Sequence, residues 1–201
     1  MLFVCPVGWA HPHVWVDTDL TLLVEGNSFT GLKVEWVFDP LYSASFVQEV
    51  DTNGNQQLEP AEVAAIRKAT FETELAMLEP FFLLKFGKPN NGLRDNPYAN
   101  VPEADFTAPQ SRIWYDAANE ALHYTFTLKF TEPQPMAGQH KVAVYDPSYY
   151  IAFEQHLDIQ FSAPTGCTYL LEEDQSIRIY QGLVHPETYK LSCQPSPEGA
   201  S

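Results

Sequence analysis

Basic residues are scarce in this chain: eleven lysines and arginines stand against 26 aspartates and glutamates, a net charge of −15. That balance excludes a nucleic-acid binder, which needs a basic face to displace counterions from phosphates. It attracts cations instead, although an acidic surface also simply keeps a protein in solution. Long apolar runs are missing too. No stretch reaches the roughly 18 apolar residues of a membrane-crossing helix, so the sequence does not read as membrane-spanning. The three methionines form no cluster of the kind that holds Cu(I). The three cysteines, Cys5, Cys167 and Cys193, fit neither a zinc ribbon nor a redox CxxC. GxSxG, HExxH, GxxxxGK[ST] and GxGxxG are all absent, and nothing singles out a working pair among the carboxylates, so the chain does not read as an enzyme.

What is present is enough for a real core, with 45% hydrophobic and 13% aromatic residues. Met1 to Ala10 (MLFVCPVGWA) is apolar and ends on Gly8 and Ala10, the small-residue pattern read by signal peptidase before His11. We read residues 1–10 as the tail of an export signal, with an ordinary first strand as the competing reading. Cys5 follows Val4, which argues against a lipid anchor. In an exported protein Cys167 and Cys193 are expected to form a disulfide, closing a loop of about 25 residues for roughly 3 kcal/mol. The alternative is two buried thiols. Residues 195–201 read as a frayed tail.

The run His11 to Glu25 alternates with period two, Gly26-Asn27-Ser28 is turn chemistry, and Phe29 to Phe38 completes a hairpin. Asp39-Pro40 reads as the cap and first turn of a helix over Leu41–Val50. A second helix is expected over Pro60–Phe86, kinked or ended at Pro80. Residues 87–109 read as loop, with room for one short strand. Strands are expected at Arg112–Tyr115, Leu122–Phe130, Lys141–Tyr145, Leu157–Phe161, Thr168–Leu171, Ile177–Tyr180 and Tyr189–Cys193. The expected fold is α+β: a single β-rich, sandwich-like domain over 11–194, with a helical hairpin inserted at 40–86.

Between the helices, Asp51-Thr-Asn53-Gly-Asn55-Gln-Gln57-Leu-Glu59-Pro-Ala-Glu62 matches an EF-hand loop at positions 1, 3, 5 and 12. Asp51, Asn53, Asn55, the Gln57 carbonyl and Glu62 would supply the oxygens a hard cation such as calcium requires. Gln56 stands where glycine is usual, at some backbone strain, and two neutral asparagines lower the charge density. A capped helical turn without an ion is the alternative. The second constellation is His11-Pro12-His13, followed by Asp17 and Asp19. On a strand the two histidines share a face. Were the chain processed after Ala10, the α-amine and ring of His11 would chelate one ion together, and imidazole suits zinc, copper or nickel. Asp146, at the end of an apolar strand, and His140 are further candidate ligands, although Asp146 equally suits a turn cap. His123, His156 and His185 stand alone and read as surface or core residues.

AHPHVWVD at 10–17, WVFDPLYS at 36–43, the loop at 51–62 and VYDPSYY at 144–150 together resemble a domain-of-unknown-function family of uncharacterised ABC-type transport system periplasmic components. The resemblance implies a periplasmic protein whose partner is a NicO-type or ABC-type inner-membrane metal permease. It puts His11, His13 and Asp146 first as ligands of a transition metal, zinc foremost. The expected function is therefore a metal-binding accessory protein of zinc uptake. A periplasmic copper carrier, a structural calcium module and an enzyme using the histidine chelate for oxidative copper chemistry remain as alternatives.

Overall fold

The computed structural model describes residues 12–70 and 78–194. In chain order its elements are β1 (Val14–Glu25), β2 (Ser28–Phe38), α1 (Pro40–Val50), α2 (Pro60–Thr70), β3 (Phe82–Phe86), β4 (Phe106–Asp116), β5 (Ala121–Pro135), β6 (Gly138–Val144), β7 (Ile151–Gln155), β8 (Gln160–Phe161), β9 (Gly166–Glu173) and β10 (Glu187–Gln194). The period-two pattern of the N-terminal hairpin sets the first sheet. Val14, Val16, Leu20 and Leu22 of β1 are buried, while Trp15 and Asp17 between them are exposed. β2 pairs antiparallel with β1, placing Val34 opposite Leu20 and Leu32 opposite Leu22. The strand order is β4-β5-β2-β1-β7, with β8 also joined to β1. β7 runs parallel to β1, Val14 opposite Ile151.

The second sheet has the order β3-β6-β10-β9. The two sheets share one core. The Trp36 ring stacks on Phe82 at 6.1 Å, and Phe29 meets Phe86 at 5.5 Å. Fully burying such a side chain contributes about 1.5–3 kcal/mol. Cys167 and Cys193 lie directly opposite each other on β9 and β10 and are joined by a disulfide.

The fold is thus β-rich, with two sheets and two helices among the described residues, and three expectations are corrected. The helix expected over Pro60–Phe86 does not continue to its end: Glu79–Phe81 is a 3-10 turn and Phe82–Phe86 is strand β3. FLLKF is a short apolar run that helix and strand accommodate equally, and pairing with β6 decides it. The helical insertion expected at 40–86 accordingly stops short of Phe82. Of Leu157–Phe161 only Gln160–Phe161 is strand, and Ile151–Gln155 takes the longer pairing with β1. Ile177–Tyr180 is not a strand: Ile179 makes an isolated bridge to Val184 across a turn in which Tyr180 and Gln181 have φ of 47° and 59°. The expected signal remnant at 1–10, His11 and the tail at 195–201 lie outside the described residues.

Candidate functional site

Three separate stretches meet at the start of β1. Asp39 caps α1 by accepting the Tyr42 N–H on Oδ1 at 2.9 Å, and Pro40 needs no amide partner in the first turn. Its second oxygen accepts the Trp15 N–H at 3.0 Å, and its own N–H donates to the Trp15 carbonyl at 2.9 Å. One aspartate therefore fastens the helix to the first strand. From the other side the turn at 146–150 reaches the same strand. The His13 N–H donates to the Tyr150 carbonyl at 2.9 Å, and the His13 ring lies 4.9 Å from the Tyr150 ring. His13 and Tyr150 are exposed. Burial pushes the Tyr42 hydroxyl above its usual pKa, helped by Tyr150, Glu49 and Asp39.

The other candidate ligands are placed differently. The Asp146 carboxylate is 6% exposed and accepts the backbone N–H groups of Ser148, Tyr150 and Ile151 at 2.8–3.0 Å, together with the Ser148 hydroxyl. Its lone pairs are occupied in shaping the turn that carries Tyr150. His140 faces the core from β6, between the rings of Phe29 and Phe86, with Nε2 at 2.7 Å from the Met136 carbonyl. Burial holds its pKa below the usual histidine value, against a smaller upward pull from that carbonyl. His140 sits inside β6, whereas Asp146 lies beyond its end at Val144, five residues intervening. The structure brings His13 to the Asp146 turn and does not bring His140 there. Among the described residues, no three histidine, cysteine or acidic side chains gather as a ready set of metal ligands.

The loop from Asp51 to Glu62 lies at the far end of α1, an eleven-residue helix about 16 Å long. Asp51 accepts the N–H groups of Gly54 and Asn55 on Oδ1, at 2.7 and 3.2 Å, and that of Gln56 on Oδ2 at 2.6 Å. Asn53 and Asn55 each accept an amide two residues on, from Asn55 and Gln57, at 3.0 and 2.8 Å. Their side-chain NH2 groups donate to Glu59 at 2.7 and 2.8 Å. Gly54 and Gln56 have φ of 73° and 61°, so the sharp turn is made with a side chain at Gln56. Glu62 accepts the N–H and hydroxyl of Thr52 on one oxygen, and the Glu59 N–H on the other at 3.0 Å. That last bond is the returning half of a capping box at the start of α2, with Pro60 in the first turn. The Asp51 carboxyl is pulled up by partial burial, but the Gln56, Gly54 and Asn55 amides outweigh this and hold its pKa below the usual range. The Glu59 and Thr52 amides hold that of Glu62 down. Asp51, Asn53 and Asn55 retain lone pairs beyond the bonds named, whereas a cation held bidentately by Glu62 would displace bonds from Thr52 or Glu59.

Contacts between distant residues escaped the sequence reading. His156 pairs with Asp19 at 2.7 Å, and His123, 3.7 Å from Glu35, stacks on Trp114. Lys141 and Asp174 form a buried ion pair. The three charged pairs join residues 33 or more apart, which leave no local spacing to read.

The family model described as Protein of unknown function (DUF1007) matches residues 1–182. A relative from Haemophilus influenzae, named "Uncharacterized protein", is 22% identical over 159 residues, covering 77% of this chain and 68% of its own. The acetylcholine-binding protein type 1 of Biomphalaria glabrata is similar at a TM-score of 0.42 and 12% identity, over 98% of this chain and 92% of its own, a likeness too distant to carry an argument.

Proposed function

This chain belongs to that family of unknown function, and on that premise we propose that it is an exported metal-binding accessory protein that hands a transition-metal ion, zinc foremost, to an inner-membrane permease. What supports the reading is the meeting of the HPHVWVD, FDPLY and VYDPSYY stretches at one end of β1, with the His13 imidazole left exposed there. Imidazole nitrogens from His13 and, two positions earlier in the sequence, His11 would suit zinc, and an acceptor would take the ion from them by ligand exchange. Asp146 serves this site by building the turn behind His13. The role is binding and delivery, not catalysis. The disulfide between β9 and β10 suits an oxidising compartment such as the periplasm. No helix among the described residues is long and apolar enough to cross a membrane.

The loop at 51–62 favours a second reading, a calcium module that stiffens the join between α1 and α2. The observation behind it is the left-handed backbone at both Gly54 and Gln56, which turns successive amides onto Asp51. The two readings separate by calorimetry. Zinc titrated into chains beginning at Met1 and at His11 is expected to bind tightly only to the latter, and to lose most of its affinity on His13→Ala. Binding unchanged by His13→Ala would refute the transition-metal site, and tighter copper than zinc binding would make the protein a copper carrier. Heat from calcium that disappears with Asp51→Ala would support the loop module.

A further inference from the structure

The outer face of the second sheet carries a feature that neither metal reading uses. Residues of the 89–98 loop, together with residues of β6, β9 and β10, line a cavity of about 470 Å3, and a second of about 610 Å3 shares Arg94 and Ser176 with it. Two lysines fix that wall. Lys85 donates to the Tyr98 and Val101 carbonyls at 3.3 and 3.0 Å, and the Lys141 ammonium lies 5.0 Å from the centre of the Tyr98 ring. Lys141 is 3% exposed and paired with Asp174, whose carboxylate also accepts from Ser176 and Thr188. The floor is thus a satisfied ionic network, and the cavity is formed before any ligand arrives, which lowers the ordering cost of binding.

The charge of this groove departs from that of the chain. Four cations and four carboxylates line it, whereas the whole protein carries −15. Lys141–Asp174 and Lys190–Glu172 pairs use two of each sign, and Asp95 and Glu173 remain on the walls with the two arginines. Arg94 and Arg178, two of the chain's four arginines, stay exposed on the groove wall without an ion-pair partner among the described residues. A guanidinium presents a planar fork of donors that matches a carboxylate or phosphate two bonds at a time. We infer that this groove binds a small oxyanion-bearing molecule, a carboxylate or a phosphate, clasped between Arg94 and Arg178. The cavity size falls within that of small-molecule sites, about 300–1,000 Å3.

The test is calorimetric titration of the full chain, freed of metal, with citrate and with inorganic phosphate at low ionic strength. Saturable binding of citrate alone identifies a carboxylate ligand, and binding of phosphate alone identifies a phosphate. Either affinity is expected to fall at least tenfold in the Arg94→Ala, Arg178→Ala double variant. The melting temperature without ligand should barely move, because both side chains are exposed. Arg112→Ala, which removes a cation stacked over Trp114 on the other sheet, should leave binding unchanged. Absence of binding by both probes at millimolar concentration, or binding untouched by the double variant, overturns the proposal.

Discussion

The loop at 51–62 and the turn at 146–151 each hang three backbone amides on one aspartate, and they differ in what remains open. Asp51 holds Gly54, Asn55 and Gln56 on a loop whose residues 52–57 are exposed. Asp146 holds Ser148, Tyr150 and Ile151 while itself 6% exposed, with the Ser148 hydroxyl on its remaining side. An open carboxylate exchanges water for an ion at small cost, whereas a buried one with its acceptors filled must first release bonds that hold the chain. A count of hydrogen bonds therefore does not mark a metal ligand. The proposed zinc site at the N-terminal end accordingly rests on the exposed His13 ring, with Asp146 shaping the turn behind it.

The largest effect is expected at Asp146. Asp146→Ala leaves three amides of a tight turn without their acceptor, and a loss of about 3 kcal/mol is expected in urea unfolding. Tyr150 would lose its fixed position, and zinc affinity should fall with stability. Asp39→Ala removes a helix cap and the tie to Trp15 together, for an expected loss of about 1–2 kcal/mol and faster exchange of the Trp15 amide.

How far the sequence foretold these two regions follows from how local each is. Twelve consecutive residues specify the loop between α1 and α2, and its place in the chain was legible because its hydrogen bonds close within the stretch. The β1–β2 hairpin was legible for the same reason. The meeting of His13 with Tyr150 was not, since it depends on β7 pairing parallel to β1 from 137 residues away in sequence (Val14 opposite Ile151). IAFEQ carries too weak an alternation to announce that strand. Phe82–Phe86 misled for a different reason: its apolar run fits either secondary structure, and only β6 selects the strand.

His140 extends the comparison to a residue whose imidazole is buried in the core. Its folded pKa lies below its unfolded one, so the unfolded chain binds the extra proton first. Stability is expected to be full above the unfolded histidine value and to fall as pH drops through it. His140→Gln should flatten that part of the profile. Asp51 and Glu62 act at lower pH, since their depressed pKa values stabilise the fold above the unfolded carboxyl range, and that contribution is lost as pH falls through the folded values. The smallest effect is expected at Gln56. Gln56→Gly relieves a left-handed backbone at a residue with a β-carbon, for a gain of about 0.5–1 kcal/mol, and should tighten any calcium binding by the loop.

The most direct test of the proposed metal site is nuclear magnetic resonance of the histidine ring nitrogens during zinc addition to the chain beginning at His11. One equivalent of zinc is expected to shift the His13 resonances and leave those of His140 unchanged. A shift confined to other histidines, or none at all, would contradict a zinc site at the start of β1.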